Sequence, residues 1–282
     1  MEALVTTQWL AGALGSGDLL VLDASYTSTI PGAPPSDPRL NFERAHIPGA
    51  RYLDLDTLID AADPLPSMLP PRALFEARMA ALGVTPETRV VLYDNGPHHT
   101  ACRAWWVLGR FGVEASLLDG GLAKWLRESL PVQAGPVPPA SVSSFTASAP
   151  RTGKRTLAEM RANLESGAEQ VVDARSAARF TGEEPDPRKD CAAGHIPGAK
   201  NIPYGHFFTP EGTWKTRDAI AATFAEAGID PAKPLVTTCG SGITAAIIAF
   251  AAHLLGHHAA LYDGSWSEWG AEPATPKAMG PA

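Results

Sequence analysis

The hexapeptide Cys239-Gly240-Ser241-Gly242-Ile243-Thr244 is the part of this sequence best equipped for chemistry. It follows the run Val236-Thr237-Thr238 and opens onto ITAAIIAFAAHLL, which reads as a helix. A cysteine there stands at a strand end, in a glycine-rich turn and at a helix N-terminus. The first turn of a helix leaves N–H groups unpaired and carries a partial positive charge, which favours the thiolate, the nucleophilic form of the side chain. Two glycines let successive N–H groups turn inward as an anion-binding nest, and Ser241 and Thr244 add hydroxyl donors. The chemistry this supports is attack by sulfur with an anion held in place. The alternative is a buried structural cysteine, and the make-up of the loop argues against it.

The elements that must position this loop occur twice. HIPGA stands at 46–50 and again at 195–199, 149 residues apart. LLVLDA ends at Asp23-Ala24 and VVDA at Asp173-Ala174, VVLYD at 90–94 matches LVTTC at 235–239, and LLDGG at 117–121 matches LYDGS at 261–265. Trp125 and Trp269 follow the last pair, 144 apart. Four phrases in one order at nearly constant offset predict two homologous domains, 1–130 and 156–282. The Pro/Ala/Ser-rich stretch 131–155 between them has the composition of an extended connector. Within each copy short apolar runs (19–22, 90–93, 115–118; 171–172, 235–238, 259–262) alternate with helical patterns (72–82, 100–111; 156–166, 216–227, 243–255). That alternation predicts an α/β fold, each domain a mainly parallel sheet covered by helices on both faces. Ligands of such sheets bind beyond the carboxyl ends of strands, where Cys239 falls.

The loop CGSGIT, the paired HIPGA phrases and the DGS-x-x-x-W tail resemble the rhodanese family across about residues 5–270. Within it the loop is similar to that of the 3-mercaptopyruvate sulfurtransferases. The resemblance implies two tandem rhodanese-like domains of which only the second is catalytic. The sequence agrees, because Asp94 occupies the cysteine position of the first copy and cannot carry sulfane sulfur. It further implies a persulfide on Cys239, loaded by a sulfur donor and unloaded by an acceptor such as thioredoxin, a small thiol or cyanide. Gly240, Ser241, Gly242, Ile243 and Thr244 would cradle the anion.

Family members that prefer thiosulfate resemble CRKGVT, with two cations where this chain has Gly240 and Ser241. A neutral loop suits a monoanionic mercapto-acid better than a dianion, so 3-mercaptopyruvate is the expected donor and thiosulfate the alternative. The resemblance implies two substrate-binding arginines nine residues apart, met here by Arg179 and Arg188. A planar guanidinium meets a carboxylate through two hydrogen bonds. Arg175, directly after the strand, competes for the role. The resemblance also implies a proton relay from Ser241 through a histidine and an aspartate of the first domain, matched by His46 and Asp37. The other reading of His46 is a residue that orders the HIPGA turn, as His195 does in its copy.

The rest of the sequence narrows the class. With 23 basic against 30 acidic residues, net −7, it lacks the basic excess of a general nucleic-acid binder. Cys102, Cys191 and Cys239 form no disulfide framework and suit a reducing, cytoplasmic setting. The first residues lack a basic leader region, and no run is long enough to span a membrane. No metal or organic cofactor is indicated: His253, His257 and His258 lack a further ligand. A cysteine phosphatase would place arginine six positions after the cysteine, where Ala245 stands. A non-catalytic binding module would have lost the cysteine, as the first copy has. Two domains already make a cleft, so a monomer suffices. Cys102 reads as a core thiol and Cys191 as an exposed one.

Overall fold

A computed structural model describes residues 1–26, 37–141 and 144–281. The chain forms two compact units, Met1–Ala61 with Leu69–Arg151 and Pro210–Trp214, and Ala62–Met68 with Thr152–Thr209 and Lys215–Ala282. The first unit runs β1 (Leu4–Val5), α1 (Thr7–Ala13), β2 (Leu19–Asp23), α2 (Pro38–Arg44), β3 (Arg51–Tyr52), α3 (Arg72–Leu82), β4 (Arg89–Tyr93), α4 (Ala101–Arg110), β5 (Ala115–Leu118) and α5 (Gly121–Arg127). The second runs β6 (Gly153–Arg155), α6 (Leu157–Ser166), β7 (Gln170–Asp173), α7 (Ala177–Thr181), β8 (Lys200–Asn201), a 3-10 turn (Tyr204–Phe207), α8 (Arg217–Glu226), β9 (Leu235–Thr238), α9 (Ala245–Leu254), β10 (Ala260–Tyr262) and α10 (Ser265–Trp269).

Each unit holds one five-stranded sheet flanked by helices, with every described pairing parallel. The orders β1-β5-β4-β2-β3 and β6-β10-β9-β7-β8 are the same order of corresponding strands. In both, the strand that leads into the cysteine position is central. Val236 and Thr237 of β9 pair with Val171 and Val172 on one side and with Ala260 and Leu261 on the other. A strand flanked on both sides is covered on both faces, which explains why LVTT is buried throughout rather than alternating. The helix behind it, AAIIAFAAHL, is buried from Ala245 to Ala252, as its lack of a polar face requires.

The cores repeat as well. Phe42, Ile47, Val91 and Trp125 cluster in the first unit; Phe180, Ile196, Val236 and Trp269 cluster in the second. Helix starts follow local rules. Thr6 and Thr216 accept from the third residue on, and Thr156 forms a capping box with Glu159.

The connector expected over 131–155 is corrected. It belongs to the first unit through Arg151, and Gly153–Arg155 is an edge strand of the second sheet. Arg72 donates to Ala147 O at 2.8 Å, Ala147 N to Glu76 at 2.9 Å, and Phe145 packs edge-on against Phe75. Irregular backbone pinned by side chains has no periodicity for a sequence to show. The first residues after α5 also mirror the C-terminal tail. Trp125 Nε1 donates to Pro131 O and Trp269 Nε1 to Pro276 O, while Gln133 and Ala278 bridge His46 and His195. Among the described residues no helix is long and apolar enough to cross a membrane.

Candidate active site

Cys239 ends β9 and is buried, and its loop is fixed from behind by α10. Trp266 N donates to Cys239 O at 3.0 Å and Ser267 N to Gly240 O at 2.8 Å. The Cys239 amide donates to Ser265 Oγ at 3.2 Å, and Ser265 Oγ donates in turn to Tyr262 O at 2.8 Å. With their carbonyls tied back, the turn residues present amides. Among the described residues the N–H groups of Gly240, Ser241, Ile243 and Thr244 have no hydrogen-bond partner. Gly242 takes φ +78°, the left-handed conformation that turns a run of amides inward. The buried Ser241 makes no side-chain hydrogen bond among the described residues.

The two expected arginines come to the same place. A Cβ on Gly240 would stand 3.1 and 3.2 Å from the terminal nitrogens of Arg188 and 3.3 Å from one of Arg179. Both side chains are held by one carboxylate: Arg179 donates to Asp186 Oδ2 at 2.6 Å and Arg188 to Oδ1 at 3.2 Å. Burial pushes the Asp186 carboxyl up, but the hydrogen bonds from Arg179 and the Arg188 N–H, with both positive charges, hold it below the usual carboxylate range. The loop is also tied at its ends by the tail, through Gly280 N to Thr181 O at 2.8 Å and the paired His195–Ala278 bonds.

Arg175, the rival for the substrate role, is committed elsewhere. It forms a two-pronged ion pair with Asp173 at 2.7–3.1 Å, donates to Gly194 O at 2.8 Å and stacks over Trp266 at 4.4 Å. Pair members are only 2% and 1% exposed, so this is a structural brace. In the first copy Ser25 stands in for Arg175, so Asp23 lacks a cation. Burial pushes Asp23 up to about 6, against the hydrogen bonds from Ser25.

His46 and Asp37 are not brought together. Asp37 is the exposed N-cap of α2, accepting from Leu40 N at 3.0 Å. His46 follows the other end of that helix, roughly 12 Å away at about 1.5 Å per residue. The His46 ring is fully buried, stacked on Phe42 at 4.1 Å, and its Nδ1 donates to Phe42 O at 2.7 Å. His195 does the same with Phe180, at 3.8 Å and 2.9 Å. Both HIPGA histidines thus order their turn through ring stacking and an Nδ1 bond, while the buried Nε2 of His46 has no hydrogen-bond partner among the described residues.

Asp94, at the cysteine position of the first copy, is wrapped by its own loop: Ala101 N donates to Oδ2 at 2.8 Å. Burial pushes it up to about 6, against amide bonds from Ala101 and Gly96. Burial also pushes the Cys102 thiol well up, with Asp94 adding to it. Cys191 is half-buried with Sγ toward Trp266 O, and burial raises its thiol too. Among the described residues no group of three His, Cys, Asp or Glu side chains could hold a metal.

Two positioning residues were not foreseen from the sequence. Asp186 announces itself only as an acid two places before one of the arginines. Ser265 is signalled by LYDGS against LLDGG: the second copy has a serine, at φ +49°, where the first has Gly121 at φ +54°.

A family model described as Rhodanese-like domain matches residues 6–128 and again 156–272. The chain is 43% identical over 276 residues to the 3-mercaptopyruvate sulfurtransferase of Homo sapiens, covering 95% of this chain and 92% of that protein. It is 42% identical over 279 residues to the thiosulfate sulfurtransferase of Gallus gallus, covering 95% and 93%. The crystal structure of SseA from Escherichia coli, titled for the rhodanese fold and the mechanism of 3-mercaptopyruvate sulfotransferases, matches with a TM-score of 0.84 at 36% identity, covering 95% of this chain and 100% of that one.

Proposed function

Because the chain belongs to the rhodanese-like family, we propose that it is a sulfurtransferase that takes the thiol sulfur of 3-mercaptopyruvate onto Cys239 as a persulfide, releases pyruvate, and passes the sulfur to a thiol or cyanide acceptor. In the first half-reaction the Cys239 thiolate attacks the donor's sulfur. An S–S bond forms, the donor's C–S bond breaks, and its electron pair leaves as the enolate of pyruvate, which is then protonated. In the second, the acceptor thiolate attacks the outer sulfur and Cys239 leaves as thiolate. The amides of Gly240, Ser241, Ile243 and Thr244 serve the thiolate and the anionic persulfide alike, with each well-placed donor contributing on the order of 3 kcal/mol. Ser241, buried two places after the nucleophile, is assigned to the enolate.

The observation that carries the donor is the pair of guanidinium groups at Gly240. Arg179, Arg188 and Asp186 sum to one positive charge, which balances a single carboxylate and underserves a dianion. The relatives bear both donor names at nearly equal identity, so overall similarity does not separate them. The thiosulfate reading is the alternative. The unbridged cysteines fit a cytoplasmic protein, with thioredoxin or a small thiol as acceptor. Steady-state turnover of the two donors, side by side, tests the assignment. A higher kcat/KM for 3-mercaptopyruvate supports it, and a higher value for thiosulfate refutes the donor while leaving the nucleophile.

A further inference from the structure

For a donor that carries a carboxylate, as proposed above, we infer that Asp186 is the positioning residue of the carboxylate site: it brings Arg179 and Arg188 over Gly240 and sets their spacing. Both guanidinium groups reach within 3.3 Å of one point, the place a Cβ on Gly240 would take. Two like charges so close repel each other, and in an empty site only an interposed anion keeps them together. Asp186 is that anion. Its side chain is 1% exposed, it gives one oxygen to each arginine, and Oδ1 also accepts the Arg188 N–H at 3.0 Å.

The backbone holds the carboxylate stiffly. Pro185 and Pro187 flank Asp186, each with its own φ fixed, and Pro187 disfavours the helical region for Asp186. Arg179 meets Asp186 through a terminal nitrogen only. Its Nε is buried without a hydrogen-bond partner, a donor left for another acceptor. Gly240 completes the device, because a Cβ there, 3.1–3.3 Å from three guanidinium nitrogens, would make the arginines shift. Asp186 touches no substrate in this scheme and acts through the arginines.

The test uses the full chain. Wild-type turnover of 3-mercaptopyruvate reads the proposed function; pyruvate affinity by calorimetry, together with KM and kcat, reads the inference. Asp186→Asn should weaken pyruvate and raise KM by about tenfold or more, with kcat held within about threefold, the signature of lost ground-state positioning. Asp186→Glu, which keeps the charge and moves it out by one methylene, should recover part of the loss, and it serves if the asparagine variant does not fold. In an Arg179→Ala background the Asn substitution should add less than about twofold, because a residue that acts through Arg179 has nothing left to act on. Unchanged pyruvate affinity in Asp186→Asn, or full additivity with Arg179→Ala, overturns the inference even if 3-mercaptopyruvate is the donor.

Discussion

Ser265 Oγ accepts the backbone N–H of Cys239 at 3.2 Å, from a residue held at φ +49°. The left-handed conformation costs a non-glycine residue about 1 kcal/mol, and the first copy avoids it with Gly121. A side chain there would have no room in the first unit, since a Cβ on Gly121 would stand 2.5 Å from Asp94 O. The second copy accepts the strain because the hydroxyl fixes the amide of Cys239. Ser265→Gly relieves the strain and leaves that buried N–H unpaired, a loss of about 1–3 kcal/mol. Single-turnover persulfide formation should therefore slow by about tenfold while thermal stability changes little. An unchanged rate would separate Ser265 from the nucleophile's placement.

Gly240 is the second expectation. Adding a methyl group sets it against three guanidinium nitrogens at 3.1–3.3 Å. Gly240→Ala should lower kcat/KM for 3-mercaptopyruvate by about tenfold, or about 1.4 kcal/mol, and lower that for thiosulfate less. Replacing Gly240-Ser241 by Arg-Lys should push the ratio further toward thiosulfate. If neither change moves the donor ratio, the loop does not set specificity.

The first unit should respond to pH. Asp23 and Asp94 are both raised by burial to about 6, above the ordinary value near 4. A raised carboxylate favours the folded state when protonated, so its contribution is full below about pH 4 and is lost as pH rises through about 6. Each shift is worth on the order of 3 kcal/mol. Urea midpoints of the first unit should fall between pH 5 and pH 7.5, and the double variant Asp23→Asn, Asp94→Asn should flatten that fall. A slope equal to wild type would mean that neither group titrates as described.

His46→Ala should act on stability and leave the proton steps alone. Losing a ring stacked on Phe42 and its bond to Phe42 O should cost about 2–4 kcal/mol. His195→Ala should cost a similar amount in its own unit. The folded His46→Ala enzyme should keep the shape of its kcat–pH profile; loss of one limb would restore the relay.

The repeats made the paired parallel α/β fold and the five long helices legible, because a central strand and a buried helix need continuous apolar runs. The edge strands Leu4–Val5, Arg51–Tyr52, Gly153–Arg155 and Lys200–Asn201 were not, since two or three residues show no period. Short helices such as Ala177–Thr181 and Ser265–Trp269 escaped for the same reason. Arg179 and Arg188 were found through the resemblance, whereas Asp186, which joins them, emerged only once the loop was folded. The shared HIPGA phrase signals the turn that both histidines order, at His46 on Phe42 and at His195 on Phe180.

Mass spectrometry of the peptide bearing Cys239, after brief exposure to 3-mercaptopyruvate without acceptor, tests the central claim most directly. The account predicts a gain of one sulfur atom on that peptide, its removal when a thiol is added, and no gain on the Cys102 or Cys191 peptides or in Cys239→Ser. Turnover by Cys239→Ser at the wild-type rate, or sulfur found on another cysteine, would contradict it.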